Sequence, residues 1–229
     1  MSDYIFPPPP PASVAIDSDT RRFPVRRIFC IALNYAAHAR EMGKEPDREA
    51  PFFFTKPADA VVDSGATIPY PSLTSDLHHE IELVAALGAG GSDIPADKAL
   101  ACVYAYAAGI DLTRRDMQSA ARKLGRPWDF SKGFDNSAPI GVLRPAATIG
   151  HPDRGRISLT VNGVLRQEGD LSDLIWKTGE IIAALSRHVA LAPGDLVFTG
   201  TPAGVGPLVA GDAAVGEIEG VGEVRLRVG

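Results

Sequence analysis

The hydrophobic positions of the chain fall into short blocks of differing period. Ile28-Phe29-Cys30-Ile31-Ala32-Leu33 is an unbroken apolar run, the pattern of a short strand covered on both faces. "AAHAREMG" then predicts a helical turn or two stopped by Gly43, and "EPDREAP" a polar loop. "FFFTKP" and "DAVVDSG" read as strands ended by turn residues. In "HHEIELVAAL" the run after Glu82 is wholly apolar, yet two carboxylates open it. Side chains alternate along a strand, so Glu80 and Glu82 share a face, with His78 in line, while Ile81 and Leu83 face the other way.

The later blocks continue the alternation. "IPADKALACV" opens a short helix with Pro95 early, and "YAYAAGIDL" returns as a strand ending at Asp111. Thr113 and Asp116 have the spacing of a capping box, with a helix "RRDMQSAARKLG" running to Gly125. "RISLTVNGVLRQEG" alternates around Asn162-Gly163, a hairpin signal. "DLIWKTGEIIAALSRHVAL" is the best later helix, and "PGDLVFTGTPAGVG" and "GEIEGVGEVRLRV" are strands with glycine-rich turns. The sum is one α+β domain, mostly sheet. Five prolines at 7–11 predict an extended polyproline arm over residues 1–22, ahead of a folded domain over 23–229.

Composition narrows the function classes. The 229 residues are 45% apolar and 22% charged, ordinary for a globular protein, and the net charge of -5 with no basic stripe argues against a nucleic-acid partner. No apolar run approaches the ~20 residues of a bilayer span, and the N-terminus lacks the plan of a secretory signal. Cys30 and Cys102 sit in apolar segments as buried hydrophobes, which fits a reducing cytoplasm.

Two constellations carry chemistry. If the strand ending at Asp111 lies near that of Glu80, three carboxylates converge, and hard oxygen donors without thiolate suit Mg²⁺, Mn²⁺ or Ca²⁺. His78 leaves open a mixed site for iron or zinc, and a solvated strand end is the plainer alternative. His38 and Glu41, three apart on a helix, share a face. They are either an ordinary surface pair or an imidazole oriented by a carboxylate to deprotonate water. Lys56 and Lys132, each among aromatic residues, are buried stems or partners of an anion or enolate. Thr199 and Thr201 share a strand face, but the P-loop residues are missing, and Gly88 and Gly90 do not make a dinucleotide loop.

The ordered set "NYAAHAREMG", "FFFTKPADAVV", "LHHEIEL", "GIDLTRRDMQ", "WDFSKGFDNSAPIG", "VNGVLRQEG" and "GDLVFTGTPAGVGP" resembles the fumarylacetoacetate hydrolase family, in particular its short acylpyruvase and fumarylpyruvate hydrolase branch. The resemblance runs from about residue 24 to residue 229 and implies that the domain over 23–229 is catalytic. It implies a mixed β-sandwich roll, a homodimer, and bound Mg²⁺ or Mn²⁺. It implies metal ligands at Glu80, Glu82 and Asp111, a lid-borne dyad at His38 and Glu41, and a catalytic Lys132. It places substrate contacts at Tyr35, Lys56, Arg115, Gln118 and Thr201. The implied reaction is hydrolysis of a keto acid, fumarylpyruvate to fumarate and pyruvate, in aromatic catabolism by way of gentisate. A broader acylpyruvase, an oxaloacetate decarboxylase and a hydroxymuconate-type isomerase are the alternatives. The branch commonly reads Gly-Arg-Asn-Tyr where this chain has Ala32-Leu33-Asn34-Tyr35, so the expected arginine is Leu33. A far carboxylate on the substrate needs a cation, for which Arg115 and Arg126 are the candidates.

Overall fold

The long apolar runs become the middle of one large sheet. The structure, a computed structural model, describes residues 4–43 and 48–229. Strands Ile81–Leu87 and Val103–Ile110 pair antiparallel at its centre. Asp195–Phe198, Arg27–Ile31 and Phe53–Lys56 extend it on one side, Ala138–Ile140 and Val61–Asp63 on the other, and Arg144–Pro145 adds to Val103–Ile110. Its two faces are dry for different reasons. Leu83, Ala85 and Phe29 pack against a five-stranded sheet, through Leu159, Val224 and Leu226, and against the helix Thr178–Leu185. Val84, Ala86, Cys30 and Phe198 face the other way, under Val14 and Phe23. The expected α+β, mostly β architecture is therefore the observed one, built as a roll of packed sheets.

Val14 and Phe23 belong to a hairpin, Ser13–Ile16 with Asp19–Pro24, that turns at Ser18 with φ 58°. The prolines at 7–11 are exposed and belong to no helix or strand, but residues 13–22, nearly half of the arm, fold as part of that hairpin onto the large sheet. The Asn162-Gly163 turn joins Arg156–Val161 to Val164–Asp170 with φ 51° and 77°, both left-handed as a type I′ turn requires. Gly43 (φ 73°) and Gly125 (φ 62°) follow the helices Ala36–Glu41 and Arg115–Lys123 as expected.

Two expectations fail for tertiary reasons. Thr113 does not cap the helix Arg115–Lys123, because its hydroxyl is taken by Lys132 Nζ at 2.6 Å. Asp116 instead accepts from Thr74 Oγ1 at 2.7 Å and Ser75 N–H at 3.0 Å, tying the helix to the preceding loop. The later helix is also shorter than its pattern and begins only at Thr178. Asn34 captures the backbone ahead of it: its Oδ1 accepts from Trp176 N–H at 2.7 Å, and its Nδ2 donates to Trp176 O at 2.9 Å and Thr199 O at 2.8 Å.

The central pair admits no bulk at one point. Gly109 stands opposite Glu82, and a Cβ there would lie 2.6 Å from Val84 Cγ2 and 2.9 Å from Phe198 Cε1. Gly109→Ala should therefore destabilise the protein by about 1–3 kcal/mol through overpacking, read from the midpoint of urea unfolding. An unchanged midpoint would show that Val84 and Phe198 can move aside at no cost.

Candidate metal centre and active site

The site is assembled where one strand changes sheets. Leu77–His79 belongs to a small three-stranded sheet with Thr113–Arg114 and Gly206–Leu208, whereas Ile81–Leu87 belongs to the large one. Glu80 is the residue between them. The ladder nevertheless continues through it, since Asp111 N–H donates to Glu80 O at 2.8 Å. That register sets Asp111 beside Glu80, with Glu82 two residues further along. Oxygens of all three carboxylates lie within 4.8 Å of one another, and all three residues are buried.

Like charges so close and so dry need compensation. It is unevenly distributed. Lys132 Nζ, at the end of the helix Asp129–Lys132, donates to Glu80 Oε2 at 2.8 Å, Asp111 Oδ2 at 2.6 Å and Thr113 Oγ1. Arg115 Nη2 donates to Glu80 Oε1, and Arg115 Nη1 to Gln118 Oε1 at 2.5 Å. Lys56 Nζ lies 2.8 Å from Asp111 Oδ1, without the alignment of a hydrogen bond, and donates to the carbonyls of Leu112 and Lys132. Among the described residues Glu82 has no cation of its own; its Oε2 accepts from Gly200 N–H at 2.6 Å. Gly200 has φ 95°, and a Cβ on it would stand 2.6 Å from Asn34 Cβ, so only glycine brings that N–H so close.

The titration of these groups follows. Burial works against the Glu80 carboxylate, but the Lys132 and Arg115 charges outweigh it and hold Glu80 well below the usual range. Burial, then Asp111, then Glu80 push the Glu82 carboxyl well above it. Burial would discharge Lys132, but Asp111 and Glu80 reverse that and keep its ammonium protonated. Three buried carboxylate donors, one oxygen of Asp111 lacking any hydrogen bond, and a Glu82 without a counter-charge fit a hard divalent cation such as Mg²⁺ or Mn²⁺. His78 is outside this group: its Nε2 lies 2.9 Å from Asp76 Oδ1 and its Nδ1 accepts from Arg115 Nε at 3.3 Å. The mixed histidine site for iron or zinc therefore does not form.

Glu80 and Glu82 open into a cavity of about 750 Å³, with Asp111 buried behind them. His38, Glu80, Glu82, Arg115, Gln118, Lys132 and Thr201 all line it. His38, buried in the helix Ala36–Glu41, has Nδ1 at 2.9 Å from Glu41 Oε2, and Glu41 Oε1 accepts from Gly204 N–H at 3.0 Å. With Nδ1–H donated to that carboxylate, Nε2 is the acceptor nitrogen. Two expected substrate contacts stand elsewhere. Lys56 lies behind Asp111 with a fully buried side chain, and Tyr35 is buried beside Leu174 with its hydroxyl unpartnered; neither lines the cavity. Arg126 faces a separate groove.

Several wall residues escaped sequence reasoning. Arg122 follows Arg115 and Gln118 at helical spacing, a signal present in the sequence but unused. Trp128, Phe52 and Trp176 supply apolar wall, as does Leu33, whose φ is 57°. Gln167 lies within "VNGVLRQEG", whose hairpin pattern does not reveal its role. Its Oε1 accepts from Ile81 N–H at 3.1 Å, which fixes the amide so that Nε2 donates to Thr201 Oγ1 at 2.8 Å and Pro202 O at 2.9 Å. Thr201, already accepting, keeps its own O–H for the cavity.

Residues 27–229 match the family model described as Fumarylacetoacetate (FAA) hydrolase C-terminal. A fumarylpyruvate hydrolase from Ralstonia sp is 45% identical over 190 residues, 82% of this chain and 98% of that protein. An oxaloacetate tautomerase from Escherichia coli (strain K12) is 40% identical over 191 residues, 83% of this chain and 87% of that one. The crystal structure of fumarylpyruvate hydrolase from Pseudomonas aeruginosa in complex with Mn²⁺ and pyruvate matches with a TM-score of 0.96 and 53% identity, covering 99% of each chain.

A cation on this trio must displace the proton that Glu82 keeps. Mn²⁺ affinity should therefore rise with pH until Glu82 is ionised, and proton release per ion should be largest at acid pH. Calorimetry in buffers of different ionisation heat reads both. Glu82→Gln should abolish the release and weaken Mn²⁺ by at least about tenfold. Equal affinity and no release at every pH would place the ion elsewhere.

Proposed function

The chain belongs to the fumarylacetoacetate (FAA) hydrolase family, and from that premise we propose that it is a metal-dependent hydrolase of acylpyruvates that splits fumarylpyruvate into fumarate and pyruvate. The observation that carries the reading is the meeting, around one cavity, of Glu80 and Glu82 with Asp111 buried behind them, a carboxylate-oriented His38 and a protonated Lys132. A similar chain bearing the fumarylpyruvate hydrolase name, and a solved one bound to Mn²⁺ and pyruvate, support the substrate and the ion.

Glu80, Glu82 and Asp111 would hold Mg²⁺ or Mn²⁺, which when bound supplies Lewis acidity to oxygens of the keto acid. The chain's own residues do the rest. His38 Nε2 takes a proton from water, with Glu41 fixing the ring through Nδ1. The hydroxide oxygen bonds to the acyl carbonyl carbon. The bond from that carbon to the pyruvyl methylene then breaks, and its electron pair leaves as pyruvate enolate. The Lys132 ammonium sits where that negative charge develops. The proton on His38 returns to the enolate carbon and gives pyruvate. Thr201 directs its O–H into the cavity to orient substrate oxygen, Arg115 and Gln118 form the adjoining wall, and Lys56 acts from behind by holding Asp111.

The oxaloacetate tautomerase among the similar proteins favours a second reading, in which the same centre moves a proton on oxaloacetate without cleaving it by water. Decarboxylation of oxaloacetate and isomerisation of hydroxymuconate-type acids use the same enolate chemistry. We extend the proposal to a homodimer acting in the cytoplasm, supported by the family and by the unpaired Cys30 and Cys102, with 23–229 as its catalytic domain. No helix among the described residues is long and apolar enough to cross a membrane.

Purified protein with Mg²⁺ or Mn²⁺ should bleach the ultraviolet absorbance of fumarylpyruvate and release pyruvate in equal amount. His38→Ala should lower kcat by about 10²–10⁴ and leave Mn²⁺ affinity within a factor of about three. Absence of pyruvate with the ion demonstrably bound refutes the hydrolase reading.

A further inference from the structure

We infer that Arg122 is the residue that selects substrates with a second carboxylate at the acyl end. The inference rests on the acylpyruvate reading above and names the feature of the substrate that the cavity sorts. Three cations line the cavity: Arg115, Lys132 and Arg122. Lys132 is committed to Glu80, Asp111 and Thr113, and Arg115 to Glu80, Gln118 and His78. Among the described residues Arg122 makes no hydrogen bond, ion pair or ring contact. A guanidinium on a cavity wall with all five donors unspent is suited to bidentate capture of a carboxylate. Glu49, the other charged side chain on that wall without a partner, is acidic and repels one.

Position agrees with the length of the substrate. Arg115, Gln118 and Arg122 lie on the helix Arg115–Lys123 at i, i+3 and i+7. Seven residues advance the helix by roughly 10 Å and return to within about 20° of the same face. Arg115 marks the carboxylate centre, because it donates to Glu80. Arg122 therefore stands about 10 Å further out along the same wall. Fumarylpyruvate in its extended form places its carboxylate carbons six C–C bonds apart, about 7–8 Å for bonds of roughly 1.5 Å. Adding a hydrogen bond of about 3 Å carries the far carboxylate to Arg122 while the keto-acid end occupies the carboxylate centre. Between the two ends the wall is Phe52, Trp128 and Trp176, flat apolar surface for the planar enone. A substrate with a short neutral acyl group, such as acetylpyruvate, fills the inner end and never reaches Arg122.

The test is steady-state kinetics of the Mn²⁺-loaded wild type, Arg122→Gln and Arg122→Lys on fumarylpyruvate and acetylpyruvate, with fumarate as product inhibitor. Arg122→Gln should raise KM for fumarylpyruvate about tenfold or more, leave its kcat within about threefold, and leave both constants for acetylpyruvate within about twofold. Arg122→Lys should fall between, because one ammonium replaces a two-pronged donor. The inhibition constant of fumarate should rise with the same order. Equal losses on both substrates, or no loss on either, overturn the role of Arg122 with the hydrolase reading intact. A wild type that hydrolyses acetylpyruvate but not fumarylpyruvate removes the substrate assignment and this inference with it.

Discussion

The contact on which the site depends is the bridge from Lys132 Nζ to both Glu80 and Asp111. Two of three buried carboxylates are balanced there, with Arg115 and Lys56 reinforcing each side. Glu82 is the remainder, held by one backbone N–H and pushed toward its neutral form. A charge set that is balanced except at one oxygen pair has a specific use. It keeps the ion-free fold from flying apart by self-repulsion, yet retains a reason to bind a cation. Lys132 thereby serves folding and chemistry with the same ammonium.

The surroundings are organised to keep that geometry rigid. Gln167 joins the Ile81 backbone to Thr201 and Pro202, and Asn34 joins the start of the helix Ala36–Glu41 to Trp176 and Thr199. Glu41 reaches across to Gly204. Each is a polar side chain spanning segments more than 80 residues apart in sequence, and Gln167 and Asn34 satisfy interior backbone groups that no ladder reaches. The helix carrying His38 is thus pinned at its base.

Much of the fold was legible because it is local. The apolar runs, the Asn162-Gly163 turn and the helix stops at Gly43 and Gly125 follow from period and turn chemistry alone. The convergence of Glu80 with Glu82 was readable from alternation, but its partner Asp111 needed the strand register, which sequence spacing does not contain. His78 lies on the Arg115 side with Glu80, as alternation requires, but its ring nitrogens are taken by Asp76 and Arg115, which spacing does not reveal. Thr113 has the spacing of a cap, and lost that role to Lys132, a competitor nineteen residues away. Family motifs name Tyr35 and Lys56 as substrate contacts, whereas both side chains are buried off the cavity wall, since a motif records identity and not direction.

The ionic centre is carried by strands at the heart of two sheets, and the wall running outward from it by one face of a two-turn helix. Strand positions are locked by neighbours on both sides, whereas the outer end of that helix is solvated. The division separates what must be invariant from what can drift. A lineage, or a protein engineer, could retune which acids are accepted by trading a few letters on the helix, without reopening the electrostatic bargain in the interior.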